Sequence, residues 1–248
     1  MIDSHAHILP DFVKNIDKII ENARGFGLDA VINSAIEPHH YEYASYLEKK
    51  HPRFVYTTLG FSASHIQKID FDLAYRKIRK YPSLVAIGEV GLDYHWIKDS
   101  YWRKQEQKVF LEFIKLANER EKPLVIHSRK AEKECLDILE KNAKVPVLMH
   151  CFAGTLEEAW KIMNLGWFIS IPTAVRNRKK HRRIARNIPL EHIVVETDTP
   201  FLSPWPGKQN EPANIKYAIE EIAILKETTF KEVDNVTTRN AQEFYGIG

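Results

Sequence analysis

Short apolar runs alternate along the chain with stretches whose apolar residues recur every three or four positions. The runs are residues 1–5 (MIDSH), 29–35 (DAVINSA), 53–60 (RFVYTTLG), 84–90 (LVAIGEV), 123–127 (PLVIH), 146–150 (PVLMH), 167–171 (WFISI) and 192–198 (HIVVETD). Their length and β-branched content predict strands. Between them, residues 15–27, 72–81, 108–121, 131–143 and 156–166 carry helical spacing, and several of these stretches end near Gly, Lys or Arg, as helix C-termini do. Strands that are apolar almost throughout, each followed by a crossover long enough for a helix, predict a parallel sheet covered on both faces. Eight of them predict an α/β fold closed as a (β/α)₈ TIM barrel. The competing architecture is an open doubly wound sheet, but no Gly-x-Gly-x-x-Gly turn follows an early strand.

With 248 residues and 44% hydrophobic content, the chain can bury one large core, so a single barrel domain over 1–248 is expected. Only two cysteines are present, Cys135 and Cys151, too few for a disulfide framework or a cysteine zinc site. That suits a reducing compartment and predicts a cytoplasmic protein. No run of 18 apolar residues exists, and the N-terminus carries acids and histidines where a signal peptide needs a basic end, so neither export nor a membrane span is expected. The net charge of +3 is unevenly placed. RNRKKHRRIAR, from Arg176 to Arg186, holds seven Lys/Arg and no acid, so the rest of the chain is net acidic. Such a run is either a solvated helix face or a surface that meets phosphates.

A barrel demands that its chemistry sit at the C-terminal ends of its strands. His5 and His7, two apart in an extended segment, present both imidazoles to one side. They end the first predicted strand, Glu89 lies late in the fourth, His127 ends the fifth, His150 ends the sixth and Asp198 ends the eighth. Six metal-competent side chains recur at one end of five strands, which points to a metal centre.

The motifs DSHAH, AIGEVGLDYH, PLVIHSR, MHCFAGT, VVETDTPFL, NEPANI and TTRNAQEFYG, in this order, resemble the TatD hydrolases over nearly the whole chain. The resemblance implies a metal-dependent deoxyribonuclease, acting as a 3′-to-5′ exonuclease on single-stranded or frayed DNA through a two-metal-activated water. It implies that His5, His7, Glu89 and Asp198 surround one ion and Glu89, His127 and His150 the other, with Glu89 as the bridge. Physical chemistry agrees: two divalent ions roughly 3.5–4 Å apart can activate a nucleophile and stabilise a leaving oxygen. Asp198 is the natural group to orient that water and accept its proton, or else a ligand alone. An imidazole-rich set favours zinc or manganese over magnesium. Related barrels often bridge their metals with a carbamylated lysine, but GEVGLD contains none.

DNA is then the expected partner, with no obligate protein partner. Arg176 and Arg178 open the basic run just after the seventh strand, where a barrel has its catalytic face, while the later half of the run is expected to turn into a helix and point away. Arg129 in PLVIHSR is a further candidate substrate contact. Tyr94, together with Trp96, Tyr101 and Trp102, offers surfaces on which unpaired bases can stack. Where the family commonly reads Gly-x-His-Pro after the third strand, this chain has Gly60-Phe61-Ser62-Ala63-Ser64-His65, so Ser62 stands in the histidine's place with His65 nearby. An esterase such as a D-aminoacyl-tRNA deacylase fits the same residues, whereas a non-catalytic nucleic-acid-binding barrel would require a vestigial metal site, and six intact ligands argue against it.

Overall fold

The computed structural model describes all 248 residues. Eight parallel strands follow one another in chain order: β1 (Ile2–Ala6), β2 (Ala30–Ala35), β3 (Val55–Leu59), β4 (Ala86–Asp93), β5 (Leu124–Arg129), β6 (Val147–Met149), β7 (Phe168–Pro172) and β8 (Ile193–Glu196). The last meets the first just past its end. His7 N donates to the Thr199 carbonyl at 2.8 Å and Asp198 N to the His5 carbonyl at 2.9 Å, so the sheet is a nearly closed barrel.

Around it lie α1 (Ile16–Gly25), α2 (Tyr41–Lys50), α3 (Phe71–Lys80), α4 (Ser100–Arg120), α5 (Glu132–Asn142), α6 (Leu156–Asn164), α7 (Lys179–Asn187), α8 (Ile215–Lys226) and α9 (Phe230–Tyr245). No helix is long and apolar enough to cross a membrane. α4 starts well before the expected residue 108 because the Asp99 side chain accepts from Tyr101 N and Trp102 N and caps a full extra segment. α2, α8 and α9 were not among the expected helices. In α2 the buried face is only three residues, Tyr41, Ala44 and Leu47, and in α9 the apolar face is interrupted by Thr237 and Asn240.

Strand alternation sorts the side chains into two cores. Val31, Val55, Leu59, Ile87, Ile126, Ile169 and Val195 pack outward against the helices. Ile2, Ala30, Ile32, Ala86, Val125, Leu148 and Val194 form a separate cluster, closed from below by Ala241, Phe244 and Tyr245 of α9. Each fully buried aliphatic or aromatic side chain contributes about 1.5–3 kcal/mol. Tyr245 Oη donates to the Ser4 carbonyl at 2.8 Å, and Asn240 Nδ2 donates to the carbonyls of Leu190 and Ile193. The far end of the barrel is therefore plugged, and the polar side chains collect at the open end.

Two strands break the alternation where the metal-competent residues stand. The pairing register shifts between Asp3 and Ala6 in β1 and between Gly88 and Val90 in β4. Ile87 and Val90 both belong to the outer core, so the extra residue between them turns Glu89 into the barrel. Close backbone approach keeps this strand lined with glycine: a Cβ on Gly60 would strike the Glu89 carbonyl, and one on Gly91 the His127 carbonyl. Strand ends also differ from expectation. β4 and β5 run on, so Glu89 and His127 stand within their strands, whereas β6 and β8 stop short and leave His150 and Asp198 just beyond them.

Candidate metal centre

At the open end of the barrel the six side chains converge. Glu89 is central: its Oε2 lies 3.2 Å from His5 Nε2 and 3.2 Å from His150 Nε2, and its Oε1 lies 3.5 Å from His127 Nδ1. Asp198 Oδ1 is 3.5 Å from His7 Nε2 and 3.9 Å from His5 Nε2. Two groups of donor atoms gather within 4.8 Å, one of His5, Glu89 and His150 and the other of His5, His7 and Asp198. His5 is shared between them, with its ring stacked on His150 at 3.9 Å. An Asp3 clamp sets the spacing, since its carboxylate accepts from Thr197 N and Thr197 Oγ1 and so ties β1 to the segment that carries Asp198.

The ring nitrogens facing away from Glu89 and Asp198 are mostly occupied. His7 Nδ1 donates to the Ser34 carbonyl at 2.9 Å, which leaves its Nε2 as a lone pair. His127 Nε2 meets Asp93 Oδ2 at 3.0 Å and His150 Nδ1 meets Glu196 Oε2 at 2.9 Å, so with a metal bound both rings, as neutral imidazoles, would donate there and turn lone pairs toward Glu89. Imidazoles and carboxylates crowded together need positive charge between them, supplied by protons on the rings or by a metal that replaces those protons. Glu89 Oε2 is buried with no hydrogen-bond donor, which is the same demand seen from the acid. The donor set therefore fits divalent metal.

Asp93 and Glu196, which orient two of these rings, were not singled out from the sequence, although both lie inside the motifs GLDYH and VVETD. Asp93 is itself fixed by the backbone N–H groups of His95 and Trp96 at 2.9 Å, and Glu196 accepts from Ser170 Oγ. Burial works against charge here, yet the neighbours outweigh it. Glu89 is raised by burial but pulled well below the usual carboxylate range by His150 and His5. His150 is lowered by burial but held at about 10 by Glu196 and Glu89, so without an ion it carries a proton that metal binding would displace. Asp198, despite its burial, is lowered by His7 and His150, so it stays anionic at neutral pH.

The chain matches the family described as TatD related DNase over residues 2–246. It belongs to that family. It is 33% identical to the uncharacterized metal-dependent hydrolase YabD of Bacillus subtilis, over 100% of this chain and 99% of the relative. It is 30% identical to the human deoxyribonuclease TATDN3, over 99% and 94%. The solved structure of YJJV, a TatD homolog from Escherichia coli, superimposes with a TM-score of 0.89 at 22% identity, covering 100% of this chain and 98% of that one. This TatD-family chain is thus a metal-dependent hydrolase on a (β/α)₈ barrel.

Around the TatD centre the other sequence candidates fall unevenly. Tyr94 is no open platform: its hydroxyl accepts from Gln107, and the Arg103 guanidinium covers its ring at 4.4 Å. Trp102 packs on the outer core, whereas Trp96 is 62% exposed with the Arg129 guanidinium 5.8 Å from its ring. Tyr101 is exposed as well. Ser62 is buried with its Oγ 3.0 Å from Ser64 Oγ, and His65 turns away to meet Glu37 Oε1 at 2.7 Å. Arg176 and Arg178 are exposed and precede α7. Within α7, Lys180 reaches back to the Ala153 carbonyl and Arg182 is paired with Glu221 of α8, so the later half of the run is helical, as expected.

Proposed function

We propose that this TatD-family hydrolase cleaves DNA phosphodiester bonds, as a 3′-to-5′ exonuclease on single-stranded or frayed ends. Two divalent ions would be held by His5, His7, Glu89, His127, His150 and Asp198, with Glu89 as the bridge. The observation that carries this reading is the Glu89 carboxylate, one oxygen 3.2 Å from two imidazoles and the other 3.5 Å from a third, with its buried Oε2 lacking any donor.

When bound, such ions supply Lewis acidity, which makes water nucleophilic near neutral pH and stabilises the departing oxygen. The protein's part is position and proton transfer. Asp198 is anionic and its side chain is 13% exposed at the open end, so it can take the proton of the attacking water. Asp93, Glu196 and the Ser34 carbonyl hold three imidazoles in register. Four imidazoles favour zinc or manganese over magnesium, which prefers oxygen ligands. The name of the human relative supports DNA as substrate. Trp96 beside Arg129 offers one stacking surface with a cation next to it, and Arg176 and Arg178 offer phosphate contacts.

The decisive experiment measures metal content and nuclease rate together, on single-stranded, duplex and D-aminoacyl-tRNA substrates, for the native chain and Glu89→Gln. The expected result is about two equivalents of zinc or manganese, degradation of single strands from the 3′ end, and loss of both ions and activity in the variant. If the variant keeps both ions and its rate, Glu89 is no bridge. If only the aminoacyl ester is cut, the substrate assignment falls.

A further inference from the structure

We propose a second metal site at the mouth of the barrel, in which Asp11, His39 and His40 take one divalent transition-metal ion such as Zn²⁺. Asp11 comes from the loop between β1 and α1, and the two histidines from the loop between β2 and α2. Their donor atoms converge as those of the central residues do. Asp11 Oδ2 lies 3.0 Å from His39 Nε2 and 3.2 Å from His40 Nε2, and all three atoms fall within 4.8 Å of one another.

Charge and burial favour a cation there. Asp11 has no lysine or arginine partner; its only charge partners are the two imidazoles. Glu37 adds a second carboxylate, 3.7 Å from His39 Nδ1, where it can orient that ring while its other oxygen meets His65. His40 is 4% exposed, so its ring is held in place with Nε2 facing Asp11. Two imidazole nitrogens and one carboxylate oxygen suit zinc, cobalt or nickel, whereas magnesium and calcium prefer all-oxygen shells.

The site is separate from the centre but mechanically connected to it. The Phe12 ring lies between them, 5.4 Å from the His40 ring and 5.5 Å from the His7 ring, and it also meets Phe201 at 5.9 Å. An ion on Asp11, His39 and His40 ties two loops together and fixes this aromatic wall beside His7. The site requires nothing of the central metal count or of the DNA substrate.

Equilibrium dialysis of the full chain against Zn²⁺ tests the site by difference. Asp11→Asn and His39→Ala alter side chains that are 61% and 57% exposed, so the barrel should fold as before. Each variant should bind one equivalent fewer than the native chain, whatever number the centre holds. Repeating the titration with Co²⁺ should give a native-minus-variant absorption difference in the visible range, the signature of the lost ligand set. Equal stoichiometry in the native chain and both variants, or no Co²⁺ difference spectrum, overturns the proposal.

Discussion

His150 Nδ1 and the Glu196 carboxylate lie 2.9 Å apart, and Glu196 is fully buried between that imidazole and the Ser170 hydroxyl. The pair makes His150 strongly basic and aims its other nitrogen at Glu89. Glu196→Gln preserves the shape but removes the charge, so zinc affinity should fall about 10–100-fold. Competition with a chromophoric chelator gives the affinity, and thermal melting checks that the barrel survives. An unchanged affinity would mean that Glu196 supports only the fold.

Asp198 carries a different burden from the histidines around it. Asp198→Asn keeps one ligating oxygen while losing charge and basicity, so turnover should drop by about 10²–10⁴. Metal content should fall much less. Single-turnover rates set beside elemental analysis separate the two roles, and a variant that loses metal in proportion to rate would make Asp198 a ligand alone.

DNA should feel only part of the basic run. Arg176 and Arg178 precede α7 and Lys180 points back to the loop after β6, whereas Arg182 is committed to Glu221. Neutralising Arg176, Arg178 and Lys180 should weaken single-strand binding for every sequence and flatten the salt slope by about 0.7 per lost contact. Neutralising Arg183 and Arg186 should leave both unchanged. Hydrolysis of a small chromogenic phosphodiester should be unaffected by either set; its loss would place the run in the barrel's support instead.

Acid should expose a buried histidine. His181 is buried in α7 with Nδ1 lacking a partner, and burial lowers its pKa to about 4. Below the unfolded pKa near 6.5 the unfolded chain takes up a proton that the folded chain refuses, so stability declines as pH falls from about 6.5 toward 4. The full difference is about 3 kcal/mol. Urea unfolding at intervals across that window should show a steeper pH slope for the native chain than for His181→Gln. Parallel slopes would mean that His181 titrates normally.

The barrel was legible because its parallel strands are apolar on both faces, and the six central residues were legible because each falls at or near the open end of a strand. What the sequence hid follows a physical rule. Asp93 and Glu196 act through a hydrogen bond to a ring and not through spacing of their own, so nothing in a linear pattern separates them from a rim carboxylate. Tyr94 looks like Trp96 in the sequence, and only the fold shows the Arg103 guanidinium over its ring and the Gln107 bond to its hydroxyl. The Asp11, His39 and His40 group joins two loops, and its proximity is created by the closure of β1 against β2. α9 escaped because its buried face includes Thr237 and Asn240, which read as solvent-facing until Asn240 is seen bonding the Leu190 and Ile193 carbonyls.

The bond from Tyr245 to the Ser4 carbonyl spans 241 positions of sequence and holds the strand that carries His5. During synthesis β1 emerges well before its floor of Ala241, Phe244 and Tyr245. Until that floor arrives, Ile2, Ala30 and Val194 have no cover from below, and the first strand has neither β8 beside it nor α9 beneath it. A nascent chain would therefore carry most of its histidines long before it could gather them, so hydrolytic competence should appear only once α9 has been made and not grow with chain length.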